Sequence, residues 1–134
     1  MRVLGIDLGA TRTGLALSDP MGITCSPLAV IVERDQVKIL ARVVEVAREN
    51  EVDEIVVGLP RPLRGGSNPQ LECAERFAES LRALGGFRVS GWDERFTTKL
   101  AERGRSRTTA QDSVAACYML QGYLDSIATT RSDI

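Results

Sequence analysis

Three acidic points in this chain are spaced so that they could do chemistry together. The first is Asp7, set inside the apolar stretch Val3-Leu4-Gly5-Ile6-Asp7-Leu8-Gly9. Burying an ionised carboxylate is costly unless it is paired or binds a metal. The second is Asp93-Glu94-Arg95, which closes an apolar run and precedes a helix start. The third is Asp112. Asp112, Ala116, Leu120, Tyr123 and Ile127 fall on one side of a helix, so this carboxylate continues a stripe that packs on a sheet. Each point also has an ordinary explanation. Asp7 and the Asp93-Glu94 pair can cap turns, and Thr109-Ala110-Gln111-Asp112 fits a capping box. Taken together, the carboxylates would repel one another unless cations neutralised them. Mg²⁺ and Mn²⁺ prefer oxygen ligands. Two such ions can activate a water and stabilise the leaving oxygen of a phosphodiester.

Composition narrows the alternatives. The chain has 134 residues and no histidine. That removes Ser-His-Asp and Cys-His nucleophilic chemistry, His-assisted RNA cleavage and His-ligated zinc. A net charge of −1 gives no global basic field, so contact with nucleic acid must rest on a local patch. Arg88, Arg95, Lys99, Arg103, Arg105 and Arg107 share one segment with the acidic pair, while Arg12, Arg61 and Arg64 sit on loops. A basic rim around an acidic centre suits a phosphate backbone, although each arginine alone is equally an ordinary surface charge. Gly9-Ala10-Thr11-Arg12-Thr13-Gly14 has the glycine spacing of a P-loop, but Leu15 and Ala16 stand where Lys and Ser/Thr are required. Cys25, Cys73 and Cys117 have no metal-ligand spacing and read as reduced core thiols. No signal-peptide pattern or membrane-length apolar run occurs.

The elements that must position these residues follow from the apolar pattern. Val3 to Gly9 reads as a buried strand, with Val3, Gly5 and Asp7 on one face and Leu4, Ile6 and Leu8 on the other. Gly14–Ser18 is a second strand. A third lies between Ile23 and Val32, with its paired part expected from Leu28 because Pro27 interrupts it. Asp35 caps a helix to about Asn50 whose expected buried stripe is Val37, Leu40, Val44 and Ala47, with Val43 beside it. Glu54–Gly58 is a fourth strand. Asn68-Pro69 starts a helix that buries Leu71, Ala74, Phe77 or Ala78, Leu81 and Leu84 and stops at Gly85-Gly86. Arg88–Trp92 is a fifth strand. Thr97 or Thr98 caps a short helix, residues 104–108 form a basic loop, and a last helix runs from Ala110 to about Ala128. The order β-β-β-α-β-α-β-α predicts one α/β domain over 1–134. Its sheet is mixed and five-stranded, with the first three strands antiparallel and helices on both faces.

Four of these stretches together resemble a known family. Val3 to Gly9 with Arg12-Thr13-Gly14, then Val56-Val57-Gly58-Leu59-Pro60, Asp93-Glu94-Arg95-Phe96-Thr97-Thr98, and Asp112-Ser113-Val114-Ala115-Ala116 are similar to the YqgF family. Its members are described as RuvX-like Holliday junction resolvases and as pre-16S ribosomal RNA nucleases. The resemblance implies an RNase H-like fold, a divalent-metal phosphodiesterase with Mg²⁺ or Mn²⁺, expected as two ions, and a cytoplasmic setting. It matches Asp7, Asp93 or Glu94, and Asp112 to the family's acidic cluster. Glu94 is favoured over Asp93, which makes Asp7, Glu94 and Asp112 the expected metal ligands. Arg12, Arg61, Arg64, Arg95, Thr97, Thr98, Lys99, Arg105 and Arg107 are the expected nucleic-acid contacts. The family usually has Lys-Arg in its first loop, whereas Thr11 precedes Arg12 here.

The implied partner is a ribosomal RNA precursor or branched DNA, with no membrane. Junction resolution favours a two-fold homodimer, and RNA trimming is open to a monomer. Two other readings remain. One is a catalytically silent RNA-binding factor in ribosome assembly. The other is a single-lobe relative of the actin-like ATPases, suggested by Gly5-Ile6-Asp7-Leu8-Gly9.

Overall fold

The computed structural model describes residues 1–94 and 109–132. Five strands form one sheet in the order β3-β2-β1-β4-β5. These are β1 (Val3–Asp7), β2 (Arg12–Ser18), β3 (Cys25–Val32), β4 (Glu54–Leu59) and β5 (Arg88–Asp93). β1 pairs antiparallel with β2, and β2 with β3, while β4 runs parallel to both β1 and β5. The expected antiparallel meander and mixed sheet are both present.

Strand alternation divides the core in two. Leu4, Ile6, Leu15, Ile55 and Val57 point to one face, where α1 (Gln36–Glu49) and α2 (Pro69–Leu84) cover them. Val3, Ala16 and Val56 point to the other face, against Ala116, Met119, Leu120 and Leu124 of α3 (Thr109–Ser132). The central strand β1 therefore belongs to both cores and carries Asp7 at its end on the α3 side.

Helix boundaries follow local chemistry. The Asp35 carboxylate accepts a hydrogen bond from the Val37 amide and caps α1, and Asn68 does the same for the Leu71 amide of α2, with Pro69 at its first position. α2 ends at Gly85, whose φ of +72° favours glycine.

Four details differ from the sequence reading. Val37 is 74% exposed, because the buried stripe of α1 starts at Ile39 and continues through Val43, Val44, Val46 and Ala47, so that the expected Val43, Val44 and Ala47 are buried but Val37 is not. Leu84, the last residue of α2, is 55% exposed because the helix ends there. Pro27 does not interrupt β3. It pairs with Ala16 on an edge strand, which spares it a ladder donor, and the register shifts between Leu15 and Ala16. The cysteines are half-buried rather than core residues. The expected short helix at Thr97 or Thr98 and the loop 104–108 lie outside the described residues. No helix of the described residues is long and apolar enough to cross a membrane.

Candidate active site

Asp7 is the last residue of β1 and lies half-buried in the middle of the sheet. On one side its register partner is Gly14 of β2. On the other side, Ile6 pairs with Val57, so Gly58 of β4 is the next position along from that pair. These two glycines seat the other carboxylates.

At Gly14 the first turn of α3 comes down onto the strand. A Cβ on Gly14 would fall 2.0 Å from the Asp112 carbonyl oxygen and 3.1 Å from the Ser113 amide nitrogen. Only a residue without a side chain admits this approach. Asp112 is 5% exposed, and its Oδ2 lies 3.4 Å from Nε of Arg12, the first residue of β2. At Gly58 the neighbour is Glu94, which directly follows β5. A Cβ on Gly58 would fall 3.0 Å from Glu94 Oε1 and 3.1 Å from its carboxyl carbon. Glu94 therefore lies over the position beside Asp7.

Alternation separates Glu94 from Asp93. Trp92 packs in the α3-side core, and Glu94, two positions on, shares that face. Asp93 takes the other face, with its carboxylate 3.8 Å from Nε of Arg61. Thus Asp7, Glu94 and Asp112 reach one end of the sheet on its α3 side, and Asp93 is directed elsewhere. The basic residues divide as well. Arg12 stands at the site through Asp112, and Arg61 and Arg64 lie on the loop leaving the same end of β4. Arg88, grouped with the rim by sequence, pairs with Glu54 at the opposite end of the sheet from Glu94. Proximity along the chain does not survive a six-residue strand, which spans about 20 Å. Arg95, Thr97, Thr98, Lys99, Arg103, Arg105 and Arg107 lie outside the described residues.

The donor set fits Mg²⁺ or Mn²⁺ in kind, being three carboxylates on one face. Among the described residues, no group of three His, Cys, Asp or Glu side chains is arranged to hold an ion as it stands. Arg12 supplies the positive charge at Asp112 instead.

Sequence reasoning missed the two glycine seats. Gly58 follows two valines in a buried strand, and a glycine there signals close approach by another group. It also missed a polar clip at the far end of the sheet. Glu54, 2% exposed, accepts hydrogen bonds on Oε2 from Ser90 Oγ and Tyr123 Oη, each at 2.6 Å. The clip ties β4 and β5 to α3, the helix that carries Asp112.

Comparison with known proteins gives the family and the fold. The family described as RuvX, Holliday junction resolvase, matches residues 1–126. A protein of Moorella thermoacetica named "Putative pre-16S rRNA nuclease" is 44% identical, over 93% of this chain and 95% of its own length. One of the same name from Bacillus cytotoxicus is 42% identical, over 94% and 99%. Among solved structures, Thermus thermophilus RuvC in complex with a Holliday junction substrate superposes with a TM-score of 0.62 at 18% identity, covering 97% of both chains. The fowlpox virus Holliday junction resolvase gives 0.58 at 16% identity, over 94% of this chain and 99% of its own. At such identities the two structures speak for the fold alone, which is RNase H-like. A family match of this extent leaves no need for the single-lobe ATPase reading. With the family matched over residues 1–126 and relatives above 40% identity covering 93% and 94% of it, this chain belongs to the RuvX (YqgF) family.

Proposed function

We propose that this chain, as a single domain over 1–134, is a divalent-metal-dependent endonuclease that processes the precursor of 16S ribosomal RNA in the cytoplasm. One observation carries the reading: Asp7, Glu94 and Asp112 lie at the same end of the sheet on its α3 side, Asp112 on a turn packed against Gly14, where no side chain fits, and Glu94 beside Gly58. The names of the relatives supply the substrate.

Asp7, Glu94 and Asp112 would hold Mg²⁺ or Mn²⁺. When bound, two such ions supply an activated water and stabilise the leaving oxygen of a phosphodiester. The protein's own part is positioning. β1 holds Asp7 rigidly between two paired strands, and the Gly14 contact sets the height of Asp112 above it. Arg12 offsets the Asp112 charge until cations or phosphates enter. Arg12, Arg61 and Arg64, with Arg95, Thr97, Thr98, Lys99, Arg105 and Arg107, are the residues that would contact the phosphate backbone.

Branched DNA is the second reading, favoured by the family's description. It would call for a two-fold dimer making paired cuts, whereas the RNA reading is served by a monomer. Side-by-side cleavage of a labelled 16S precursor and a four-way junction, with Mg²⁺, with Mn²⁺ and with chelator, decides between them. The precursor should be cut with either metal and spared with chelator. Asp7→Asn should abolish cutting while binding falls by less than about tenfold, because backbone contacts dominate affinity. Preferential junction cleavage would give the site to DNA. Binding without cleavage under both metals would make the protein a silent RNA-binding factor.

A further inference from the structure

We propose that Cys25 and Cys117 are a disulfide-forming pair, a modification site that clamps the edge strand β3 to α3. The two residues are 92 positions apart, yet their sulfurs stand 3.2 Å from each other. Each thiol also reaches across to the other's main chain. Cys25 Sγ lies 3.2 Å from the Cys117 carbonyl oxygen, and Cys117 Sγ lies 3.5 Å from that of Cys25. This reciprocal contact sets the residues face to face, so closing to a bond of about 2.05 Å needs roughly 1 Å of approach. Both residues are half-buried, which leaves a path for a small reagent. Cys73 is the built-in control. It lies on α2, in a groove shared with Val37, Leu40 and Phe77 on the other side of the sheet.

The oxidant is a small-molecule disulfide of the glutathione class. Either thiol can open the exchange; here Cys117 serves as the attacker, and the reverse order balances identically. The Cys117 thiolate bonds to one sulfur of the reagent and expels the other as a thiolate. Cys25 then attacks Cys117 Sγ, losing its proton as the second reagent thiolate leaves. Two protein thiols and one reagent disulfide become one protein disulfide and two reagent thiols. Two electrons pass to the reagent, and the two protons released go to its thiolates.

The bond would join the first residue of β3 to the helix whose first turn holds Asp112, five positions before Cys117. It would close a loop spanning 92 positions of the chain, and long loops are those whose closure most restricts the unfolded ensemble.

The test uses the full chain equilibrated with oxidised glutathione. Its readouts are thiol count after denaturation, non-reducing electrophoresis, peptide mapping and thermal unfolding. Two of the three thiols should vanish from a chain that stays single, with Cys25 and Cys117 mapped in one linked pair. The unfolding midpoint should rise by about 8–16 °C and fall back with dithiothreitol. Cys25→Ser and Cys117→Ser should each abolish the rise, and Cys73→Ser should keep it. Three thiols persisting in excess oxidant, a link through Cys73, or a link between chains would overturn the proposal.

Discussion

Replacing Gly14 by alanine should damage fold and activity together. The added methyl carbon would sit 2.0 Å from the Asp112 carbonyl oxygen and 2.5 Å from its carbonyl carbon. Carbon–oxygen contacts settle at about 3.3–3.6 Å, so one partner must retreat by more than about 1 Å. β2 cannot give, because it is paired on both sides. The first turn of α3 must lift instead, against its packing on Ala16 and Val56. Overpacking against backbone belongs at the upper end of the usual range, about 3 kcal/mol. At an unfolding entropy of roughly 0.28 kcal/mol per degree for a chain of this length, the midpoint should fall by about 11 °C. Lifting Asp112 by about 1 Å should also lower turnover on the order of 100-fold in the fraction that remains folded. Gly58→Ala is the contrasting arm. Its methyl would meet the end of the Glu94 side chain at 3.0 Å, and a side chain can rotate away. The midpoint should then move by less than about 3 °C, with turnover reduced about 10- to 100-fold. Calorimetry and single-turnover cleavage on the same preparations measure both effects. A Gly14→Ala protein with parental midpoint and parental turnover would refute the packing of α3 on β2.

Glu94→Gln should abolish cleavage, whereas Asp93→Asn should retain it, because only Glu94 shares a face with Asp7. The Asp93–Arg61 pair is partly exposed at 3.8 Å, so its loss should cost less than about 1 kcal/mol. The reverse ranking in a cleavage assay would exchange their roles. Tyr123→Phe removes one donor from the buried Glu54 carboxylate and should cost about 1–2 kcal/mol, or about 4–7 °C. Burial, then the hydrogen bond to Glu54, hold the Tyr123 phenol above its ordinary value of 10.0. The folded state therefore keeps a proton that the unfolded state releases. This stabilisation is complete below about pH 10 and lost as pH rises through the folded value. The gap between parent and variant should narrow above pH 10, and a constant gap in thermal melts would remove Tyr123 from the clip.

The sequence-legible parts of this site are those that a single element determines. Asp7 stood out because one carboxylate in an apolar strand is anomalous by itself. Asp112 was placed toward the sheet by 3.6-residue periodicity, and its burial agrees. The caps at Asp35 and Asn68 were readable because an N-cap is a contact between residues two or three positions apart. Phase errors appeared where a pattern has two near-equal solutions. Val37 and Ile39 both begin an apolar stripe, and tertiary packing selected the second. Pro27 reads as a strand break from sequence alone, because edge position and a register shift are properties of the sheet rather than of the strand.

What the sequence hid depends on which elements cross. Arg88 and Glu94 are six positions apart, and the extended strand between them sends them to opposite ends of the sheet. Cys25 and Cys117 are 92 positions apart, and the fold brings their sulfurs into contact. Gly14 and Gly58 carry the same lesson for the site itself. Neither bears a functional group, yet one sets the height of Asp112 and the other makes room for Glu94 beside Asp7. The acidic residues supply the charge, but the two glycines decide how closely those charges can gather. A substitution that leaves every carboxylate in place can therefore still dismantle the site, which is why the glycine variants test the assignment more stringently than removal of the acids.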